Sequence, residues 1–269
     1  MGATGSDWPG SAEADPGLRL ALPARRVPVG HGWDWIARGW KLFTRAPLMW
    51  IVSLLILVVA AVVMNFIPLI GGLAFHVLNA AIAAGFIVAC RSLELGNEFE
   101  LEHLFAGFRT HFGSLLVVGL LFLAGEAAIF LVFVAFAGFP LIGVAMSGDA
   151  QEIATRVMAS LMTIALGGLV ALALLVPLMA AIWFAPALVV LHGVGPVEAM
   201  KQSFIGCFRN FWSLFVYGLV MTLFALLIPL TLGLGAFVWV PLAIASTYAA
   251  YREIYTAEPM APAPAAAAA

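Results

Sequence analysis

Apolar residues fall in long blocks along this chain, with polar residues gathered in short clusters between them. Six blocks are long enough to cross a bilayer: about 47–67, 69–90, 113–139, 169–191, 210–229 and 234–253. Roughly 20 apolar residues in a helix span the ~30 Å hydrocarbon core. The fourth block belongs to a longer stretch, Val157 to Leu191, interrupted by Gly167-Gly168, Pro177 and Pro186. Periodicity alone leaves three readings of it: one kinked helix, a surface helix leading into a single span, or two short spans.

Charge placement chooses among them. If the fourth block crosses once, Arg19, Arg25, Arg26, Arg38, Lys41, Arg45, Arg91, Arg109, Lys201, Arg209 and Arg252 all lie on one side, with Arg156 alone opposite. Short loops rich in Lys and Arg stay in the cytoplasm. The expectation is six spans with both termini cytoplasmic. The turns near Asp149–Arg156 then form an external surface helix, followed by a hinge at Gly167.

Shorter segments ahead of the spans have helical rather than continuous apolarity. Trp33, Ile36, Trp40 and Phe43 share one face of a helix, and Asp34, Arg38, Lys41 and Arg45 the other. Leu101, Leu104, Phe105, Phe108 and Phe112 form a second stripe. Val197, Met200, Phe204 and Phe211 form a third, after Pro196, which suits a first helical turn. Each lead-in ends on an aromatic-basic signature: Phe43-Thr44-Arg45, Phe108-Arg109 and Phe208-Arg209. Each is followed by a span, a Pro-Leu turn (Pro68-Leu69, Pro140-Leu141, Pro229-Leu230) and a returning span. The predicted architecture is therefore an all-α integral membrane protein of three amphipathic-helix-plus-hairpin repeats, about 31–92, 97–192 and 194–255. Trp33, Trp40, Arg38, Lys41, Arg45, Phe108, Arg109, Phe208 and Arg209 are the expected interfacial anchors, with rings at the headgroup level and cations near lipid phosphates.

Composition agrees: 64% of the 269 residues are hydrophobic and 10% charged. A soluble globule carries ~25% charged residues and could not hide so much apolar surface. The net charge of −2 offers no basic footprint for a nucleic acid. Cys90 and Cys207 lie far apart, without disulfide or zinc spacing. Residues 1–30 are rich in Gly, Pro and small residues and lack the apolar core of a signal peptide, and 256–269 are an Ala/Pro run. Both are expected to be disordered tails.

Chemistry-bearing residues are few. Glu126 stands mid-span, where a carboxylate is costly and marks an ion or proton pathway by default. Asn79, Thr222, Ser246 and Thr247 count to a similar depth, with His76 one turn outward from Asn79, so a polar midplane layer is expected. The simpler role for Glu126 is a hydrogen-bonded carboxyl that holds helices together. Glu94, Glu98, Glu100, Glu102 and His103 form an acidic cluster without EF-hand spacing, read as a solvated loop leading into a helix. No GxSxG, HExxH, P-loop or GxGxxG motif occurs. Neither a cofactor nor a metal is expected. Ala81, Gly85 and Ala89 give the second span a smooth face for close packing.

The runs from Gly32 to Ile51 and from His103 to Arg109 resemble an uncharacterised family of proteobacterial multi-pass inner-membrane proteins. More loosely, the amphipathic-helix-plus-hairpin order is similar to the membrane domain of some glycerophosphodiester phosphodiesterases, whose catalytic domain has no counterpart here. The resemblance implies location in the bacterial inner membrane and supplies no functional residues. The expected role is a non-enzymatic scaffold, or a binder or conduit for lipid-like or small molecules. The expected partners are the bilayer and either a second copy or another membrane protein. The rival readings are a proton- or cation-coupled transporter using Glu126 and a membrane enzyme with an acidic cytoplasmic site.

Overall fold

In a computed structural model, residues 18–68, 70–145 and 150–257 are described. Tail residues 1–17 and 258–269, Leu69 of the first turn, and Asp149 lie outside them. Every regular element is helical: α1 His31–Arg45, α2 Pro47–Asn65, α3 Ile70–Glu94, a 3-10 turn Leu101–Phe105, α4 Ala106–Arg109, α5 Phe112–Ala145, α6 Ala150–Trp183, α7 Ala185–His192, α8 Pro196–Arg209, α9 Phe211–Ala225, α10 Leu227–Leu230 and α11 Ala236–Tyr255.

Prolines and glycines set most boundaries. Pro47 forces Ala46 out of the helical region (φ −147°), which ends α1 and opens α2. Pro196 opens α8 in the same way. Gly193, at φ 62°, ends α7 in the left-handed conformation, and its N–H donates to the Val189 carbonyl at 2.9 Å.

Among the described residues, five helical stretches are long and apolar enough to cross a membrane: Pro47–Asn65, Ile70–Glu94, Phe112–Gly138, Arg156–His192 and Phe211–Leu230. The helix α11 falls outside this set because its second half carries Tyr248, Tyr251, Arg252, Glu253 and Tyr255, all buried against protein.

Two sequence expectations are corrected. Helix α5 runs through Pro140 to Ala145, so the second Pro-Leu pair makes no turn. Helix α6 is continuous across Gly167-Gly168 and Pro177, and the break comes at Phe184, next to Pro186. Gly167 is a packing position instead of a hinge: a Cβ there would sit 2.5 Å from Cβ of Phe136.

The chain divides into two units, Met1–Gly119 with Ala181–Ala269, and Leu120–Ala180. The second holds the facing parts of α5 and α6, with Gly125 against Leu178 and Gly167 against Phe136. In the first, each lead-in segment packs on a returning helix. Helix α1 lies along α11 and also touches α9, the segment 101–109 lies on α3, and α8 lies on α7. Glycines make the approaches close. A Cβ at Gly85 would meet the Leu104 carbonyl oxygen at 2.4 Å, and one at Gly107 the Ala81 carbonyl oxygen at 2.3 Å. The small-residue face read from the sequence is thus used within the chain.

Residues 18–30 depart from the expected tail. Leu18 and Ala24 are buried, and the backbone pairs with the end of α11 (Ala21 N–H to Tyr255 O, 2.7 Å; Arg25 N–H to Ile254 O, 2.8 Å). Asn210 clamps the same segment: its Oδ1 accepts from Val27 N–H at 2.8 Å, and its Nδ2 donates to the Arg25 carbonyl at 2.8 Å. Backbone groups leaving water need partners, and α11 and Asn210 supply them.

Candidate functional site

The C-terminal ends of α3 and α11 meet over a buried ion network. Arg252 donates from Nε and Nη2 to both carboxylate oxygens of Glu94, at 3.0–3.1 Å. Arg91 Nη1 donates to Glu94 Oε2 at 2.6 Å, and the Tyr248 hydroxyl donates to the same oxygen. Arg252 Nη1 also donates to Thr256 Oγ1 at 3.0 Å. A charge moved out of water must be paired and hydrogen-bonded, and Glu94 has both. The next residue, Glu253, holds α1: Trp35 Nε1–H donates to its Oε2 at 2.7 Å, His31 Nδ1 lies 2.5 Å from Oε1, and Arg38 Nη1 is 3.4 Å from Oε2. With Gly39 against Ser246, this sets α1 and α11 in opposite directions.

Beside the network lies a cavity of about 560 Å³ between α2, α3, α7, α9 and α11. Its walls are apolar (Leu54, Leu57, Ile82, Phe86 and others), with Trp183 and Trp239 among them. The polar side chains on its surface are Asn79, Tyr217, Thr222, Thr247 and Tyr251, and none of its lining residues is ionisable as Asp, Glu, Lys or Arg. Pockets of ~300–1,000 Å³ with apolar walls and a few placed polar groups are the usual form of a small-molecule site. Tyr217 is fixed from behind: its hydroxyl lies 3.2 Å from both Ser246 Oγ and the Ala243 carbonyl.

Three of the expected midplane residues, Asn79, Thr222 and Thr247, thus share one cavity. Ser246 is buried behind it, holding Tyr217. His76 is half-buried on α3 and outside the lining. Glu126 is half-buried on α5 in the other unit.

The expected anchors divide. On α1, Ile36 and Phe43 are buried with Trp35 and Leu42, while Trp33 and Trp40 stay 55% and 47% exposed. The helix therefore packs on protein through a face about one residue round from its most aromatic one. Trp33, Trp40 and Lys41 line an apolar groove of about 680 Å³ with Phe224, Ile228 and Trp239. Arg38 turns to Glu253, and Arg45 caps the end of α3 by donating to the Leu93 carbonyl. Phe108 stacks on Phe112 at 5.7 Å, and Arg109 pairs with Glu102 on the surface. Phe208 sits against Phe204 at 4.5 Å and, like Arg209, is exposed.

In the acidic cluster, Glu94 leaves for the ion network, whereas Glu100 and His103 form a capping box in which Glu100 N–H donates to His103 Nδ1 at 3.0 Å. Burial lowers the His103 pKa, with Glu100 and Glu102 pulling the other way. Burial pushes the Cys207 thiol up to about 12, so it stays a small inert side chain.

Sequence reasoning missed Glu94–Arg252, Glu253–Trp35 and the wall residues Tyr217 and Tyr251. A signal was present: Tyr248, Tyr251, Arg252 and Tyr255 recur at helical spacing in the last block, where a lipid-facing helix would carry Leu and Val.

A probable inner membrane protein of the proteobacterium Burkholderia thailandensis is 31% identical to this chain over 214 residues, which is 78% of each. No family model and no solved structure matches. With its long apolar helices, the chain belongs to the same family as that protein and is a multi-pass protein of the bacterial inner membrane.

Proposed function

We propose that the protein binds, or passes along, a lipid-like small molecule in the cavity between α2, α3, α7, α9 and α11, without chemistry of its own. The observation that carries this is the cavity's makeup: about 560 Å³, apolar walls, two tryptophans and isolated neutral polar groups. Such a surface suits a molecule that is mostly hydrocarbon with one or two hydrogen-bonding groups. Native mass spectrometry of the protein released from its own membranes tests it. A retained small molecule is expected, and it should be absent from Gly218→Leu. Gly218 lines the cavity, and a Cβ there meets no atom within 4 Å, so leucine would fill the space without displacing backbone. Equal retention by both proteins would defeat the reading.

The same reading takes the chain as three hairpins crossing six times, with both termini in the cytoplasm and α11 as the sixth crossing. Two observations support it. Eleven of the 12 Lys and Arg then share one side. Each lead-in segment also packs on the returning helix of the hairpin before it in cyclic order: α1 on α11, 101–109 on α3, α8 on α7. Reporter fusions after Gly30, Leu95, Ala150, Gly195 and Glu258 should read in, in, out, in, in. An external signal at either of the last two would overturn the six-crossing reading.

A further inference from the structure

The groove beside α1 is a second concave site, distinct from the cavity. It encloses about 680 Å³ between α1, the end of α9, α10 and the start of α11, and Trp239 is a wall common to groove and cavity. On the α1 side, Trp33, Ala37, Trp40 and Lys41 follow at i, i+4, i+7 and i+8, which sets them on one helical face. The small Ala37 leaves a slot between the two indoles, and it is itself exposed.

The polar side chains of the lining limit what fits there. Two are already satisfied: Trp239 Nε1–H donates to the Met221 carbonyl at 2.8 Å, while Thr231 Oγ1 donates to the Ile228 carbonyl at 2.9 Å and accepts from Gly235 N–H at 2.8 Å. Those left without a partner among the described residues are all donors, the Lys41 ammonium and the indole N–H groups of Trp33 and Trp40. The other cations of α1 are committed, Arg38 to Glu253 and Arg45 to the Leu93 carbonyl. Asp34, the acid of α1, is outside the lining. The groove thus joins apolar walls to one positive charge, with no carboxylate beside it. Apolar walls suit hydrocarbon, and a cation with two indole donors suits an anion rich in acceptor oxygens. A zwitterionic head would bring an ammonium for which the lining has no carboxylate.

We propose that the groove is a site for one anionic phospholipid of the surrounding bilayer. An acyl chain lies in the slot between Trp33 and Trp40, and Lys41 holds the phosphate.

The test uses the full chain, stripped of lipid in detergent, and native mass spectrometry of its first lipid-bound state. The probes are phosphatidylglycerol and phosphatidylethanolamine with the same two acyl chains. Phosphatidylglycerol should bind about fivefold more tightly, the effect of one lysine near an anionic head. Lys41→Gln should abolish that preference, and Lys41→Arg should keep it. Ala37→Trp, which fills the slot from an exposed position, should weaken both lipids about tenfold. Gly218→Leu should change neither affinity, so this proposal and the cavity reading fail separately. Equal affinities in the parent, a preference that survives Lys41→Gln, or unchanged binding in Ala37→Trp overturns the proposal. So does a preference that Arg209→Gln lowers as much as Lys41→Gln does, because general surface charge then explains it. A dimer of the parent that Ala37→Trp breaks apart gives the groove to a second copy and overturns the proposal as well.

Discussion

Glu94, the last residue of α3, grips the Arg252 guanidinium with both carboxylate oxygens across 158 positions of sequence. The pair is two-pointed and largely buried, and it joins the ends of α3 and α11. Without Glu94 the buried Arg252 guanidinium would lose its carboxylate partner away from water.

Removing one member should therefore cost more than removing both. Arg252→Met is expected to destabilise the protein by about 3–5 kcal/mol, because Glu94 loses its two-pointed partner and keeps Arg91 and Tyr248. Glu94→Gln with Arg252→Met should recover much of that loss. Thermal unfolding of the singles and the double in detergent gives the coupling directly. Additive losses would mean that the pair contributes no stability of its own.

The anchoring of α1 makes a contrast between two tryptophans of one helix. Trp35 is fully buried with its indole N–H on Glu253, whereas Trp33 is 55% exposed. Trp35→Ala should cost about 3–5 kcal/mol and expose residues 31–45 to hydrogen exchange. Trp33→Ala should leave exchange there nearly unchanged. The reverse order would mean that α1 is held by the membrane surface rather than by α11.

Acid should loosen the segment between α3 and α5. Burial holds the His103 pKa below its ordinary 6.5, so the unfolded chain takes up a proton first as pH falls. Stability is then fully present above about 6.5 and lost as pH drops below it. The Nδ1 that accepts from Glu100 N–H is also lost as an acceptor once protonated. Unfolding temperatures measured from neutral to mildly acidic pH should decline less steeply in His103→Gln than in the parent.

Glu126 separates the rival functions. It is not a lining residue of the cavity. Glu126→Gln should retain the fold and the small molecule that the parent carries from its membranes. A pH-driven flux in proteoliposomes that vanishes in Glu126→Gln, with folding intact, would instead make the protein a proton-coupled transporter.

Helices, their approximate ends and their apolar character were legible in the sequence, because 3.6-residue periodicity, prolines and long uncharged blocks are local properties. The chain order alone also identified Asn79, Thr222 and Thr247 as polar positions of similar depth, and they do share a cavity. What local pattern could not supply was the partner of each face. The stripe of Trp33, Ile36, Trp40 and Phe43 looks made for lipid, yet α1 turns Trp35 inward, since Glu253 of α11 offers its indole a hydrogen bond that hydrocarbon cannot. Glu94 reads as one acid of a solvated loop until Arg252 is brought beside it. Pro140 reads as a turn, yet α5 continues through it as helix. Residues 18–30 read as tail because they belong to a stretch, 1–30, rich in Gly, Pro and small residues, but their backbone groups find partners on α11 and Asn210. The sequence by itself thus determined a chain of helices that belong in a bilayer. Tertiary packing decided which polar residues are buried together, because burying a charge or a hydroxyl depends on a partner contributed from far along the chain.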